Sequence, residues 1–298
     1  MKILVTGASG LVGSALVPLL AGGGHEVARL GRSAPAPGDI RWDPAAGVLE
    51  AGALEGLDGV VHLAGENIAA GRWTEARKRR IKASRVNGTR LLARALAGLE
   101  RPPRVLVSAS AIGFYGDRGD EDLTEGSAAG SGFLAEVCRE WEAATEAAAA
   151  KGIRVVHARL GVVLGKDGGA LARMRTPFKL GVGGIIGSGA QYMSWITLDD
   201  TAAAIAHLLS TDAAAGPVNV VAPSPVTNRE FTRTLGRVLR RPTLFPMPGF
   251  AARLAFGEMA DALLLASARV RPARLMDSGY AFRHDSLEEG LRQVLGAG

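Results

Sequence analysis

The stretch Leu4-Val-Thr-Gly-Ala-Ser-Gly-Leu-Val-Gly13 constrains this chain more than any other. Ile3, Leu4 and Val5 form a continuous apolar run, so Met1–Thr6 reads as a short buried strand. Gly7, Gly10 and Gly13 follow at three-residue spacing, and Leu11, Val12, Leu16, Leu19 and Leu20 then recur at helical spacing. Turns collect glycine for many reasons, so the flanking strand and helix carry the argument. Strand, tight glycine turn and helix is the order that lets a backbone approach a pyrophosphate while a helix N-terminus points N–H groups at it. The stretch therefore predicts a dinucleotide cradle built from Gly7, Ser9, Gly10, Leu11, Val12 and Gly13.

The remainder alternates strands with helices. Strands are predicted over His25–Leu30, Ile40–Asp43, Val60–Gly65, Arg104–Ala109 and Ile153–Ala158. Helices are predicted over Thr74–Ala97 and Phe133–Ala150. This alternation indicates an α/β fold, a doubly wound parallel sheet of Rossmann type, with a smaller C-terminal lobe. Residues 1–165 plus 193–222 are assigned to the nucleotide-binding domain; for the glycine-rich excursion 166–192 plus 223–298, the family resemblance given below implies a substrate-cleft lobe. Leu63, Ala64 and Gly65 end a buried strand in small residues and would lie against a flat ligand, with Glu66 just beyond.

The end of the second strand selects between cofactors. A fold that prefers NAD places Asp or Glu there, to accept from the ribose 2′-hydroxyl. Here the sequence is Gly31-Arg32-Ser33, with no acid between Val27 and Pro37. The planar fork of Arg32, with Ser33 beside it, suits a 2′-phosphate, so the expected cofactor is NADP(H).

Composition excludes several classes. Hydrophobic residues make up 47% and charged residues 21%, which suits a globular chain with ample core. A single cysteine, Cys138, permits no internal disulfide and points to a reducing cytoplasm. No uncharged apolar run reaches membrane length, so no membrane partner is expected. The basic run Arg77-Lys78-Arg79-Arg80 reads as a solvated helix face without interleaved aromatics, and no nucleic-acid partner is expected. The five histidines lack metal-ligand spacing, and His62 and His157 read as satisfied core residues.

The Thr6–Gly13 turn, Asp58 with His62-Leu-Ala-Gly65, and Ser108-Ala-Ser-Ala with Tyr115-Gly116 resemble the extended short-chain dehydrogenase/reductases, the epimerase and dehydratase group. Leu63–Ile68, Arg72-Trp-Thr74, Trp141-Glu142, Leu160–Gly165, Ser194-Trp-Ile196, Val270-Arg-Pro272 and Gly279–Phe282 narrow the resemblance to an atypical branch of epimerase family proteins. The resemblance implies an NADP(H) site that also uses Ser108, Arg85 and Arg159. It also implies a homodimer through the helices after the fourth and fifth strands.

The chain departs from that family where the chemistry is done. Extended members use Ser, Tyr and Lys: the phenol moves the proton, the lysine lowers its pKa, and the serine holds the substrate oxygen. Ser110 falls at the serine position, but the tyrosine position holds Phe133 and the lysine position Val137. Tyr115 and Glu66 are the candidate substitutes beside Ser110. Tyr115 is equally readable as a packed loop aromatic, Glu66 as a solvated carboxylate, and Arg85 and Arg159 as ion-pair partners. Two readings follow. One is an NADP-dependent oxidoreductase acting on an unknown small molecule. The other is a catalytically silent NADP(H)-binding regulator, as organellar relatives linked to organelle division imply. In the second lobe, Asp199 or Asp200 is expected to cap a helix from Thr201, and Thr227 with Glu230 to form a capping box.

Overall fold

The computed structural model describes residues 1–31 and 39–297. Its centre is an eight-stranded sheet in the order Gly216–Val220, Arg154–Leu160, Val105–Ala111, Gly59–His62, Lys2–Thr6, Glu26–Gly31, Ile40–Asp43, Val48–Leu49. All neighbours pair in parallel except the last two, which are antiparallel. Parallel strands need helical crossovers, and these cover both faces. On one face, Leu16 and Leu20 of the helix Leu11–Gly22 meet Ile205, Leu208 and Leu209 of the helix Leu198–Ser210 over Ile3, Val5, Val61 and Val107. On the other, Leu92, Ala93 and Leu96 of the helix Glu75–Ala97 pack with Leu4, Trp42, Val60, Leu106 and Val155. The strand Lys2–Thr6 is buried from both sides, which explains its unbroken apolar run.

Several local expectations change. The single helix predicted over Phe133–Ala150 is two helices, Phe133–Ala143 and Glu146–Ala150. The break comes at Thr145, whose hydroxyl donates to the Glu142 carbonyl at 2.8 Å and bonds His157 Nε2 at 2.9 Å. A short hydroxyl that takes backbone partners competes with the helix ladder. The helix expected from Thr201 begins at Leu198, and its cap is Thr197, whose Oγ1 accepts from the Asp200 N–H at 3.1 Å. Asp200 instead lies fully buried, accepting from Tyr280 Oη and from the backbone N–H groups of Arg283 and His284. Of the predicted capping box the Thr227 half is found, its Oγ1 accepting from the Glu230 N–H at 3.2 Å; among the described residues the Glu230 carboxylate does not return a bond to the Thr227 N–H. The glycine-rich excursion 166–192 contains a helix, Gly169–Lys179.

The C-terminal region is laced to the rest. Helices Asn228–Leu239 and Leu287–Leu295 meet around Trp195 through Phe231, Leu235, Leu287 and Leu291. The strand Arg269–Val270 pairs with Asp122–Leu123 in the loop after the fifth predicted strand. Among the described residues, no helix is long and apolar enough to cross a membrane.

Candidate functional site

The strand Lys2–Thr6 pairs with Glu26–Gly31 on one side and Gly59–His62 on the other. The chain runs outward from it in both directions, so the crevice at its carboxyl end is the sheet's topological switch point, where ligands of such folds bind. The glycine turn sits there, and sterics account for its composition. Gly7 has φ +66°, and a Cβ on it would stand 2.8 Å from the Leu63 carbonyl carbon. A Cβ on Gly13 would stand 2.3 Å from Gly7 O. Gly10 caps the helix Leu11–Gly22 without a side chain, and the first helical bond runs from Ser14 N–H to Gly10 O at 2.9 Å. The N–H groups of Leu11, Val12 and Gly13 therefore have no intrahelical acceptor. Ser9 is exposed at the rim. The side chain of Leu11 is seated on a second glycine turn, where a Cβ at Gly165 or Gly169 would stand 2.8 Å from its methyls.

A buried relay fixes the two strand ends relative to one another. Thr6 Oγ1 accepts from the N–H groups of Leu63 and Ala64, each at 3.1 Å. Both its lone pairs are used, so its own proton goes to His62 Nδ1 at 2.7 Å. Nε2 then carries the ring proton and donates to Thr89 Oγ1 at 3.0 Å, which also accepts from Trp141 Nε1 at 2.9 Å. His62 is fully buried, and desolvation pushes its pKa down to about 4, so it is neutral. His62 and His157 are thus satisfied core groups.

Arg85 faces the crevice from the helix Glu75–Ala97. Its guanidinium lies against Gly65, whose Cβ would stand 3.3 Å from Arg85 Cζ, and 5.1 Å over the Trp141 ring. Nη1 donates to the carbonyls of Glu66 at 3.0 Å and Ile81 at 3.3 Å. Among the described residues no carboxylate lies within the 4.0 Å ion-pair distance of it, and Nε and Nη2 have no partner. Desolvation pushes its pKa down. Glu66 is half-buried at the mouth, its carboxylate 3.6 Å from Arg80 and 4.0 Å from Arg77. The basic run is more than a solvated face: Lys78 pairs with Glu75 and Glu258, and Lys82 with Glu136 and Glu140.

Ser110, Tyr115 and Arg159 come together, but in a closed network. Ser110 Oγ donates to Glu142 Oε1 at 2.7 Å. Arg159 forms a two-pronged pair with Glu142, both arms 2.8 Å, and donates through Nη1 to Tyr115 Oη at 3.0 Å. Tyr115 Oη donates to Asn219 Oδ1 at 2.7 Å. Tyr115 is fully buried, and desolvation raises its pKa. The Arg159 guanidinium also lies 3.5 Å over the Phe114 ring. Here Tyr115 packs and Arg159 is an ion-pair partner. Ser108 is buried, and its hydroxyl makes only a long 3.5 Å contact with the Ala109 carbonyl. Glu142, noted only as part of the Trp141-Glu142 resemblance, and Asn219 organise this network, and nothing local ties them to Ser110 and Tyr115, from which they lie far along the chain.

Phe133 stands in an apolar cluster instead of an acid–base pair. Its ring meets Trp73 edge-on at 5.1 Å, and Met259, Phe256 and Leu263 of the C-terminal lobe pack onto the same group. Val137 is buried. Cys138, also buried, has a thiol pushed up to about 11 by desolvation and is inert packing. Arg32 and Ser33 lie outside the described residues. No group of residues suited to a metal is found among the described ones.

Sheet order, glycine turn and switch-point crevice define a Rossmann-type protein with a pyrophosphate-shaped cradle. Residues 3–222 match the model of the NAD dependent epimerase/dehydratase family, and residues 247–294 match a domain of unknown function, DUF1731. The chain belongs to this epimerase/dehydratase family. It is similar to the epimerase family protein MT2273 of Mycobacterium tuberculosis, 44% identical over 97% of this chain and 96% of that one. It is similar also to the human epimerase family protein SDR39U1, 37% identical over 99% of this chain and all of that one. The crystal structure of human SDR39U1 (isoform 2) with NADPH superposes with a TM-score of 0.90 at 36% identity, covering 99% of each chain.

Proposed function

We propose that this protein binds NADP(H) in the crevice between the glycine turn and Leu63–Gly65, and that it is an oxidoreductase acting on an apolar carbonyl or quinone-type molecule. The observation that carries the reading is the cradle: Gly7 and Gly13 leave no room for a Cβ beside three helix N–H groups that lack an intrahelical acceptor. That arrangement fits a pyrophosphate. Arg85, half-buried with unused donors, would hold an oxygen-rich part of the cofactor. NADPH in the human relative supports the choice of the phosphorylated dinucleotide. When bound, the cofactor supplies hydride. Phe133 packs against the buried Trp73 and Met259, so the surroundings of that position are apolar and suit a substrate with little polar surface. Glu66 is the carboxylate at the mouth available to a proton.

A second reading is favoured by one observation. With Phe133 and Val137 at the usual acid–base positions and the Ser110 hydroxyl spent on Glu142, the site also suits a silent binder whose occupancy is the signal. One experiment separates the readings. NADPH and NADH are titrated against the protein, and NADPH absorbance is then followed with quinones, aldehydes and sugar nucleotides. Tighter binding of NADPH than NADH with oxidation by quinones or aldehydes supports the enzyme. Binding without turnover supports the regulator. Failure to bind either dinucleotide defeats both. Arg85→Ala should weaken NADPH by about tenfold or more, the worth of a charged hydrogen bond, with at most a modest fall in the unfolding midpoint from the freed Glu66 and Ile81 carbonyls.

A further inference from the structure

Two stretches of this chain contain no Asp or Glu: residues 168–198 and residues 231–257. The first holds Arg173, Arg175 and Lys179, and the second five arginines. The fold brings them together. Met247 N–H donates to Ile185 O at 2.8 Å, and Gly187 N–H to Met247 O at 2.9 Å. A Cβ on Gly184 would overlap Phe245 O, and one on Gly236 would stand 2.5 Å from Thr243. The segment 241–247 therefore folds back along the helix Asn228–Leu239 and onto the turn after the helix Gly169–Lys179.

That surface is apolar and cationic at once. Leu180, Leu244, Phe250 and Leu254 are 73–77% exposed, and Val182 and Phe245 more than half exposed. So much exposed apolar surface in neighbouring segments is uncommon on a chain that meets only water. Beside it, Arg233, Arg237, Arg240 and Arg241 line a concavity of about 460 Å³. Arg237 is neutralised by Glu288, and Arg253 by Asp261. Among the described residues, the side chains of Arg233, Arg240 and Arg241 have no partner.

We propose that this face docks the protein on an anionic lipid bilayer, the leucine and phenylalanine side chains entering the interface and the free arginines meeting headgroup phosphates. This replaces the expectation of no membrane partner. A soluble polyanion would use the arginines but leave the leucines in water. A second copy of the chain, joined across a two-fold axis, would set arginine clusters against one another. A bilayer satisfies both halves of the surface. The proposal does not depend on the cofactor or on turnover.

The test is flotation of the whole protein with vesicles. It should float with vesicles of equal parts phosphatidylcholine and phosphatidylglycerol, and not with phosphatidylcholine alone. High salt should weaken the association. Two double variants, Leu244→Ser with Leu254→Ser and Arg233→Glu with Arg241→Glu, should each reduce partition by about tenfold or more. All four positions are exposed, so thermal midpoints should match the parent; the double variant that keeps its midpoint decides if the other does not. The proposal is overturned if the protein ignores the anionic vesicles, or if both double variants bind as the parent does. It is overturned too if the arginine pair alone matters and inorganic pyrophosphate or RNA competes fully. Loss of a lipid-free dimer in the leucine pair would assign the patch to self-association and equally overturn it.

Discussion

The glycine turn and the Ser110–Phe133 region stand at the carboxyl ends of strands in one sheet, yet they are held by different means. The turn is held by backbone. Gly7 and Gly13 each approach main-chain atoms so closely that one added methyl would collide. The Ser110 region is held by side chains: a carboxylate, a guanidinium, a phenol and an amide that satisfy one another in a buried network. Backbone sterics admit almost no substitution, whereas a side-chain network can be rebuilt provided every member keeps a partner.

The largest effect should come from breaking that network. Arg159→Leu leaves the Glu142 carboxylate, only 13% exposed, without its buried cation, which costs on the order of 3 kcal/mol in urea unfolding. Arg159→Leu with Glu142→Leu should recover much of the loss, since the orphaned charge is then gone. A single variant that loses under about 1 kcal/mol would mean the pair is not buried as described.

The relay behind the turn gives the next effect. The folded pKa of His62 is about 4, below the ordinary imidazole value of 6.5. Between those values the unfolded chain binds the extra proton, so stability is intact above 6.5 and is lost as pH falls towards 4. The loss approaches roughly 3 kcal/mol. Measuring unfolding free energy against pH for the parent and His62→Gln checks this. The parent should show the steeper fall, and parallel curves would remove His62 as its source.

How much of this could be read from the sequence follows the same division. The turn was legible because its causes are local: an apolar strand, glycine spacing and helical periodicity lie within one short stretch. That Phe133 and Val137 stand where the resemblance would put tyrosine and lysine is likewise read by position along the chain. The fate of Ser110 and Tyr115 was not legible. It depends on Arg159 and Asn219, which reach them through the pairing of the strands Val105–Ala111, Arg154–Leu160 and Gly216–Val220, and on Glu142, which the helix Phe133–Ala143 brings to Ser110. Thr145 and Thr197 were missed because a hydroxyl beside a helix end can cap or break it, and the tertiary partner decides. The joining of two acid-free stretches on one face is likewise a property of the fold.

Gly7→Ala tests the backbone side of the comparison. A Cβ at φ +66° costs about 1 kcal/mol or more. Relieving its contact with Leu63 adds a similar amount, giving about 2–3 kcal/mol in all. NADPH binding should weaken as well, because the relief must move Leu63 or the turn. Unchanged affinity with reduced stability would detach the turn from the cofactor.

Phe133→Tyr should have the smallest effect and is the most informative about chemistry. The position is half-buried against Trp73, so one hydroxyl should change stability by less than about 1 kcal/mol. It should not raise NADPH turnover. A phenol works as an acid–base group only when a neighbouring cation brings its pKa down. The residue one helical turn on is Val137, buried and uncharged. Lys78 lies 5.7 Å over the ring, but it is bound to Glu75 and Glu258, each within 2.9 Å, and those carboxylates hold its pKa up. Its field at a new phenol is therefore largely cancelled. Ultraviolet titration should find that phenol at or above the ordinary tyrosine value, with turnover unchanged. A tenfold gain in turnover would show that a phenol at this position can move the proton in these surroundings, and that the Ser110 network does not prevent it.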